Sequence, residues 1–297
     1  MLPPSRYNRL AETALFLYYG FVALFIAFFR GRIAGAGGLL LVQGAALLVL
    51  MAVVGLSEAF PGGRALAFVR NWLPLPAVLF GYRMIHFLIN CDRNRGFLPD
   101  RDALLIRIDR LLLGADPTVW LERIASPWLT EILQFAYATN YFLPLILLVI
   151  LYRERRRIPF QFSVFLLTAG YLLSYLGYFL IPAVGPRFTL SHGCELSGVF
   201  LRETLCRLIY FMEACPRDCF PSGHTEIPLV TLYLAFRFRR PLFWIYLPVV
   251  VLLVSSTVYL RYHYVVDVLA GAALAGAVAL IGHCLFRTEG EESRART

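Results

Sequence analysis

The sequence predicts an all-α protein that crosses a membrane several times as a helical bundle. Of its 297 residues, 59% are hydrophobic and only 16% are charged, which is far from the balance of a soluble domain. The apolar residues fall into runs of about 20, the length that a membrane-spanning helix needs. The basic residues, which give a net charge of +9, form short clusters between these runs. Such clusters mark cytoplasmic loops, so the charge indicates topology and not a nucleic-acid partner.

Eight apolar segments are candidates for spanning helices. In chain order they cover residues 11–29, 34–55, 72–90, 131–152, 160–181, 222–236, 241–260 and 264–286. The basic clusters at Arg153 to Arg157 and at Arg237 to Arg240 lie at the ends of two of them. Because basic loops stay in the cytoplasm, eight spans place both termini on that side.

Three regions follow from this pattern. We expect residues 1–71 to form an N-terminal transmembrane hairpin, residues 72–286 a membrane core of about six helices, and residues 287–297 a disordered cytoplasmic tail. Inside the core, residues 97–128 mix charged side chains with leucines at helical spacing, which is typical of helices that lie along the membrane interface. Residues 183–221 form a polar loop on the outer side.

The outer loop contains four cysteines, Cys194, Cys206, Cys215 and Cys219. Disulfides persist outside the cytoplasm, so we expect one or two bridges that brace this loop. Four cysteines allow three pairings, which the sequence does not separate. A zinc site is the alternative, although the spacing fits no common zinc finger.

The segment C-F-P-S-G-H-T-E, residues 219–226, predicts the start of a helix. Pro221 suits a first helical turn, and Ser222 is a good N-cap residue. The first N–H groups of a helix point outward and lie at the positive end of its dipole. We therefore expect the amides of Ser222, Gly223 and His224 to bind a phosphate.

The segment Y-L-R-Y-H-Y-V-V-D-V-L-A-G, residues 259–271, supplies a second set of polar groups. His263 and Asp267 are four residues apart and share one helical face, so the carboxylate can hold one imidazole nitrogen and leave the other available. Arg187 follows a proline-rich helix end, and Arg261 precedes the histidine. The alternation of spans places all of them and His224 on the outer side. Any one of them could simply bridge helices, but together they indicate a functional site.

These residue types suit the transfer of a phosphoryl group without a metal or another cofactor. Arginine side chains make bidentate contacts to phosphate oxygens. His263, oriented by Asp267, would attack phosphorus and form a phosphohistidine, while His224 would protonate the leaving oxygen and then activate the acceptor. No aspartate cluster with metal-binding spacing accompanies these residues, so we expect no metal.

The two segments also resemble a known family. P-S-G-H, followed by S-T-V-Y-L-R-Y-H-Y-V-V-D-V-L-A-G, is similar to the second and third signature motifs of the type 2 phosphatidic acid phosphatase superfamily. Y-F-L-I-P-A-V-G-P-R-F resembles the first motif of the branch that contains the fungal inositol phosphorylceramide synthases. The resemblance covers residues 160–285. It implies that His263 is the nucleophile, Asp267 its partner, His224 the acid and base, and Arg187 a phosphate ligand.

The chain departs from the superfamily pattern at two positions. The third motif usually begins Ser-Arg, whereas Ser256 is followed here by Thr257, and Arg261 would supply the missing charge as a phosphate ligand. Leu180 stands where the first motif usually has a lysine. Both changes concern contacts to the substrate and leave the phosphohistidine chemistry unaffected.

The predicted function is that of a membrane enzyme that acts on a lipid phosphate or phosphodiester at the non-cytoplasmic face, in the inner membrane if the chain is bacterial. With water as the acceptor it would be a lipid phosphatase, and with a lipid alcohol it would be a head-group transferase. Branch resemblance does not fix the acceptor. The alternatives are a lipid transporter or flippase, which would carry charges near the membrane midplane, and an inactive member of the superfamily.

Overall fold

A computed structural model describes residues 5–89, 99–213 and 217–295, and these ranges contain helices but no strand. The predicted all-α fold class is thereby confirmed. The helices are α1 (Arg6–Phe28), α2 (Ala36–Ala59), α3 (Arg64–Trp72), α4 (Pro74–Ile89), α5 (Asp102–Leu113), α6 (Pro117–Trp120), α7 (Pro127–Ala138), α8 (Phe142–Arg153), α9 (Arg157–Leu180), α10 (Pro186–Thr189), α11 (Arg202–Glu213), α12 (Gly223–Phe238), α13 (Arg240–Tyr259) and α14 (Val265–Ala295).

Six helical segments in the described ranges are long and apolar enough to cross a membrane, so the protein is an integral membrane protein. They are Arg6–Phe28, Ala36–Ala59, Pro127–Arg153, Arg157–Leu180, Arg240–Tyr259 and Val265–Phe286. The pair α3 and α4 would add a seventh, although the two helices meet at an angle of 41°. The remaining predicted span, residues 222–236, is the 16-residue helix α12. It rises only about 24 Å, which is less than the hydrocarbon core of a bilayer.

Helix α9 lies between two hydrophobic clusters and joins the N-terminal helices to the rest of the bundle. Its first half, including Leu167, packs in a cluster with α8, α12, α13 and α14. Its second half, including Tyr175, packs in a cluster with α1, α2 and α4. The expected N-terminal hairpin therefore contacts the core directly, because α1 packs along α9.

Two short helices and a 3-10 turn occupy most of the segment predicted to lie along the interface. Helix α5 ends at Gly114, which has a φ of 71°. Glycine adopts this left-handed conformation without steric cost, so the chain can turn sharply into α6. The 3-10 turn Leu121–Ile124 follows, and α7 then begins at Pro127. Residues 97–98 lie outside the described ranges.

The loop of residues 183–221, which we predicted to lie on the outer side, is held by hydrogen bonds where we expected disulfides. The carboxylate of Glu131 on α7 accepts N–H hydrogen bonds of 2.6 to 3.3 Å from residues 199–202, at the start of α11. Cys194, Cys206 and Cys219 have free thiols, so the expected bridges among them are wrong. Cys219 is buried and its thiol is directed toward a carboxylate, away from the loop surface. Cys215 lies outside the described residues.

The last helix continues further than the sequence suggested. Helix α14 extends to Ala295, through most of the segment 287–297 that we expected to be disordered. This segment contains three glutamates, two arginines and an alanine between 289 and 296, which are good helix formers and favour continuation of the last span.

Candidate active site

His263 lies in the short connection between α13 and α14. The N–H groups of Tyr262 and His263 both donate to the carbonyl of Thr257 at 3.0 Å, which closes the end of α13. Arg261 has a φ of 65°, an uncommon conformation for a residue other than glycine. This turn directs His263 into the protein, where it is 4% exposed.

The imidazole of His263 is oriented mainly by a backbone carbonyl. Nδ1 lies 2.9 Å from the carbonyl oxygen of Cys219 and 3.6 Å from Oδ2 of Asp267. A carbonyl can only accept, so Nδ1 carries the hydrogen and Nε2 keeps its lone pair. The direct bond to Asp267 that the spacing predicted is longer than an ordinary hydrogen bond.

Asp267 is fully buried and connects several groups around the histidine. Its Oδ2 accepts hydrogen bonds of 2.9 Å from the N–H of Tyr264 and from the thiol of Cys219. Burial, together with the negative charge of Asp267, raises the pKa of the Cys219 thiol well above its usual value. The thiol therefore stays protonated and acts as a donor.

His224 is in the first turn of α12, opposite His263. Its ring stacks on Tyr137, with centroids 4.3 Å apart and planes 16° apart, and Tyr137 stacks in turn on Tyr262 at 4.5 Å. The centroids of the His224 and His263 rings are 6.0 Å apart. A phosphate between the two rings could contact each of them at about 3 Å.

Ser222 and Gly223 fix the start of α12 against its neighbours. The N–H of Ser222 donates to the carbonyl of Asp267 at 3.1 Å, so this amide is already used. A Cβ atom on Gly223 would stand 2.7 Å from the hydroxyl of Tyr178, and one on Gly271 would stand 2.4 Å from the carbonyl oxygen of Ser222. Glycine is needed at both positions because other atoms approach so closely. The amides of Gly223 and His224 remain predicted phosphate donors.

The two arginines of the predicted site have different surroundings. Arg187 on α10 is exposed, and its N–H donates to the carbonyl of Arg261 at 3.0 Å. The Nη2 of Arg261 donates to Glu122 at 3.1 Å and to the carbonyl of Cys194 at 2.8 Å. Much of the positive charge of Arg261 is therefore balanced by a carboxylate, which weakens its predicted role as a phosphate ligand.

A polar cavity of about 280 Å³ lies beside these arginines. It is lined by Gln134, Arg187, Glu195, Leu196, Arg202, Leu260, Arg261 and Tyr262. Within the described ranges, three buried nitrogen atoms of this lining have no hydrogen-bond partner: Nε2 of Gln134, Nε of Arg202 and Nε of Arg261. Unpaired buried donors favour a ligand with several acceptor oxygen atoms.

An apolar groove of about 740 Å³ lies between the segment 113–133 and the helices α13 and α14. It is lined by Leu113, Ala115, Pro117, Trp120, Leu121, Ile124, Leu129, Leu133, Leu252, Val254, Ser255, Val258, Tyr259, Val265 and Val268. The last residues of α13 and the first of α14 contribute to it, so the groove reaches the connection that contains His263.

Two carboxylates on α5 that support the site were not predicted from the sequence. Asp102 accepts hydrogen bonds from the N–H groups of Val184 and Gly185 at 3.0 and 2.9 Å, just before Arg187. Asp109 accepts from the first two N–H groups of α14 at 2.9 and 2.8 Å. Burial raises the pKa of the Asp109 carboxyl, although these two donors act in the opposite direction. The sequence could have indicated them through their spacing of seven residues, which puts both side chains on one face of α5.

The chain was compared with known protein families, curated sequences and solved structures. The sequence model of the PAP2 superfamily matches residues 103–281, which is more than half of the chain and includes His224, His263 and Asp267. No curated protein sequence and no solved structure matches the chain.

Proposed function

Because this chain belongs to the PAP2 superfamily, we propose that it is a membrane enzyme that removes a phosphoryl group from a lipid phosphate through a phosphohistidine. The observation that carries the proposal is the pair of imidazoles from α12 and from the α13–α14 connection, whose centroids lie 6.0 Å apart. Two such rings can act on opposite sides of one phosphate group, one as nucleophile and one as proton donor.

In the first step, Nε2 of His263 uses its lone pair to form a bond to phosphorus. The bond from phosphorus to the oxygen of the lipid alcohol breaks, and His224 gives its proton to that oxygen. The Nδ1–H of His263 remains on the carbonyl of Cys219, and the nearby carboxylate of Asp267 stabilises the positive charge that develops on the ring.

In the second step, His224, which is now neutral, takes a proton from the acceptor. The oxygen of the acceptor attacks phosphorus, and the bond from phosphorus to His263 breaks. With water as the acceptor the product is inorganic phosphate. Throughout both steps, the guanidinium of Arg187 and the amides at the start of α12 would stabilise the negative phosphate oxygens.

The substrate is proposed to be a lipid because an apolar groove reaches the catalytic connection. The groove of about 740 Å³ is large enough for part of an acyl or prenyl chain and is lined almost entirely by apolar side chains. A substrate that lies in the bilayer could place its chain there and its phosphate between the two histidines. From the positions of the basic clusters we propose that this occurs at the non-cytoplasmic face.

A head-group transferase is the second candidate. It is favoured by the polar cavity that Tyr262 helps to line. The unpaired N–H donors of that cavity and the carboxylate of Glu195 suit a ligand with several hydroxyl or phosphate groups. An enzyme of this kind would use a lipid alcohol in place of water in the second step.

The test is a panel of lipid phosphates and phosphodiesters given to the detergent-purified protein, with free phosphate and new lipid measured together. We expect phosphate release that His263→Ala abolishes. His283→Ala is the matched control, because His283 is exposed on α14, the helix that follows His263, and lies far along it from the site. A new phospholipid in place of free phosphate would support the transferase. Absence of any turnover that depends on His263 would overturn the proposal in favour of a transporter or an inactive protein.

A further inference from the structure

A third side chain lies against His263 and Asp267 and has no role in the proposed reaction. The sulfur of Cys219 is 2.9 Å from Oδ2 of Asp267 and 3.6 Å from Nδ1 of His263. The nitrogen and the carboxylate oxygen are themselves 3.6 Å apart. All three residues are buried, and their ligand atoms form a compact triangle.

The triangle has nearly the dimensions of a tetrahedral zinc site. Bonds of about 2.3 Å to sulfur and about 2.0 Å to nitrogen and oxygen give ligand separations of about 3.3 to 3.5 Å. The separations of 3.6 Å from sulfur to nitrogen and from nitrogen to oxygen are within about 0.3 Å of these values. The separation from sulfur to oxygen would have to increase by about 0.6 Å on binding.

The carboxylate of Asp267 can also bind a further ligand. Its Oδ1 atom is buried and has no hydrogen-bond partner within the described ranges. A buried carboxylate oxygen without a partner is costly, and a cation is the kind of ligand that satisfies it.

We propose that Cys219, His263 and Asp267 form an inhibitory site for a thiophilic divalent cation such as Zn²⁺. On binding, the thiol of Cys219 loses its proton to solvent and the sulfur coordinates the ion. Nδ1 of His263 coordinates with a lone pair, so the ring hydrogen moves from Nδ1 to Nε2. An Nε2 that carries hydrogen has no lone pair for attack on phosphorus, and the nucleophile is lost.

Binding can be measured without any enzymatic assay. The detergent-purified full chain is titrated with Cd²⁺, a zinc substitute whose bond to thiolate gives an ultraviolet charge-transfer band. We expect one high-affinity ion per wild-type chain and a loss of at least tenfold in affinity in Cys219→Ser. Asp267→Asn should weaken binding as well, which provides a second variant if the serine variant does not fold.

The control is Cys206→Ser. Cys206 is another free thiol of the outer loop and contacts Arg187 and Tyr262, but it is not part of the triangle. This variant should bind Cd²⁺ like the wild type. An unchanged titration in Cys219→Ser, or the absence of a thiolate band in the wild type, would overturn the proposal.

The inhibitory effect of the ion rests on the proposed function and is tested separately. Zn²⁺ should abolish phosphate release by the wild type, a chelator should restore it, and Cys219→Ser should need at least ten times more Zn²⁺. Full activity of the wild type at a saturating concentration of Zn²⁺ would refute the inhibition. Specific Cd²⁺ binding without turnover of any lipid phosphate would support the site and count against the proposed function.

Discussion

The hydroxyl of Tyr264 donates a hydrogen bond of 2.8 Å to Oδ1 of Asp102, which ties the residue after His263 to helix α5. The same carboxylate accepts from the N–H groups of Val184 and Gly185, in the turn before Arg187. Asp102 therefore connects the region of the proposed nucleophile with the region of a proposed phosphate ligand.

Replacement of Asp102 by alanine should destabilise the protein and lower its activity. The variant leaves the N–H groups of Val184 and Gly185 without their acceptor and removes an acceptor from the Tyr264 hydroxyl, which keeps its contact with Thr189; this costs about 3 kcal/mol. Asp116→Ala is the control, because it removes an ion pair with the exposed guanidinium of Arg110, worth about 1 kcal/mol, and no backbone N–H group bonded to Asp102 is affected. Thermal unfolding in detergent should show a clearly lower melting temperature for Asp102→Ala alone. Equal melting temperatures would contradict the role given to this carboxylate.

Gly271 offers a test of the close contact between α12 and α14. A Cβ atom in Gly271→Ala would stand 2.4 Å from the carbonyl oxygen of Ser222, so the two helices must move apart and the two histidines with them. We expect a loss of at least about tenfold in phosphate release, which corresponds to about 1.4 kcal/mol in the barrier.

Gly276→Ala is the matched control on the same helix, since no atom beyond its own helical backbone and chain neighbours lies within 4 Å of its Cβ position. This variant should keep full activity and gain up to about 1 kcal/mol from helix propensity. If both variants retained wild-type activity, the close contact would not be required for the arrangement of the site.

Arg187 should contribute to catalysis through its contacts with phosphate oxygens. Arg187→Ala should lower kcat/KM about 100-fold, the loss of a bidentate charged contact of about 3 kcal/mol. Arg187→Lys should recover only part of this, because lysine cannot make the bidentate contact. Arg207→Ala serves as the control, since Arg207 is an exposed arginine of the outer loop. Similar kinetics for the alanine variants of Arg187 and Arg207 would remove Arg187 from the site.

The apolar groove should determine the preference for long lipid chains. A tryptophan in Val258→Trp would fill part of the groove and exclude about two methylene groups, which is worth about 1.6 kcal/mol. KM for a long-chain lipid phosphate should therefore rise about tenfold, while a short, water-soluble phosphate ester should be hydrolysed as before. Ile245→Trp, on an exposed face of the same helix, should change neither value. An equal effect of Val258→Trp on both substrates would show that the groove does not bind the chain.

The fold class and the two segments that contain His224 and His263 could be predicted from the sequence, because apolar runs and helix starts are local features. The same features predict that His224 and His263 lie on one side of the membrane. The short length of α12 also follows from the sequence, because the predicted segment 222–236 is bounded by Pro221 and by the basic cluster that begins at Arg237.

The remaining features depend on contacts between distant parts of the chain, which spacing does not reveal. Arg261 was predicted to bind a phosphate, yet its guanidinium is paired with Glu122, 139 residues away in the chain. Asp267 was expected to hold His263 directly, whereas the carbonyl of Cys219 is closer. A backbone carbonyl has no signature in the sequence, so only the packing of α12 against α14 shows this arrangement.

The phosphohistidine itself provides the most direct test of the mechanism. An aryl phosphate, whose leaving group needs no proton, should still phosphorylate His263 in the His224→Ala variant, but the missing base should slow the second step. We predict that this variant accumulates an acid-labile, base-stable phosphate on His263, detected by peptide mass spectrometry, and that the additional change His263→Ala removes it. Phosphate on another residue, or the same labelling after His263→Ala, would contradict the account.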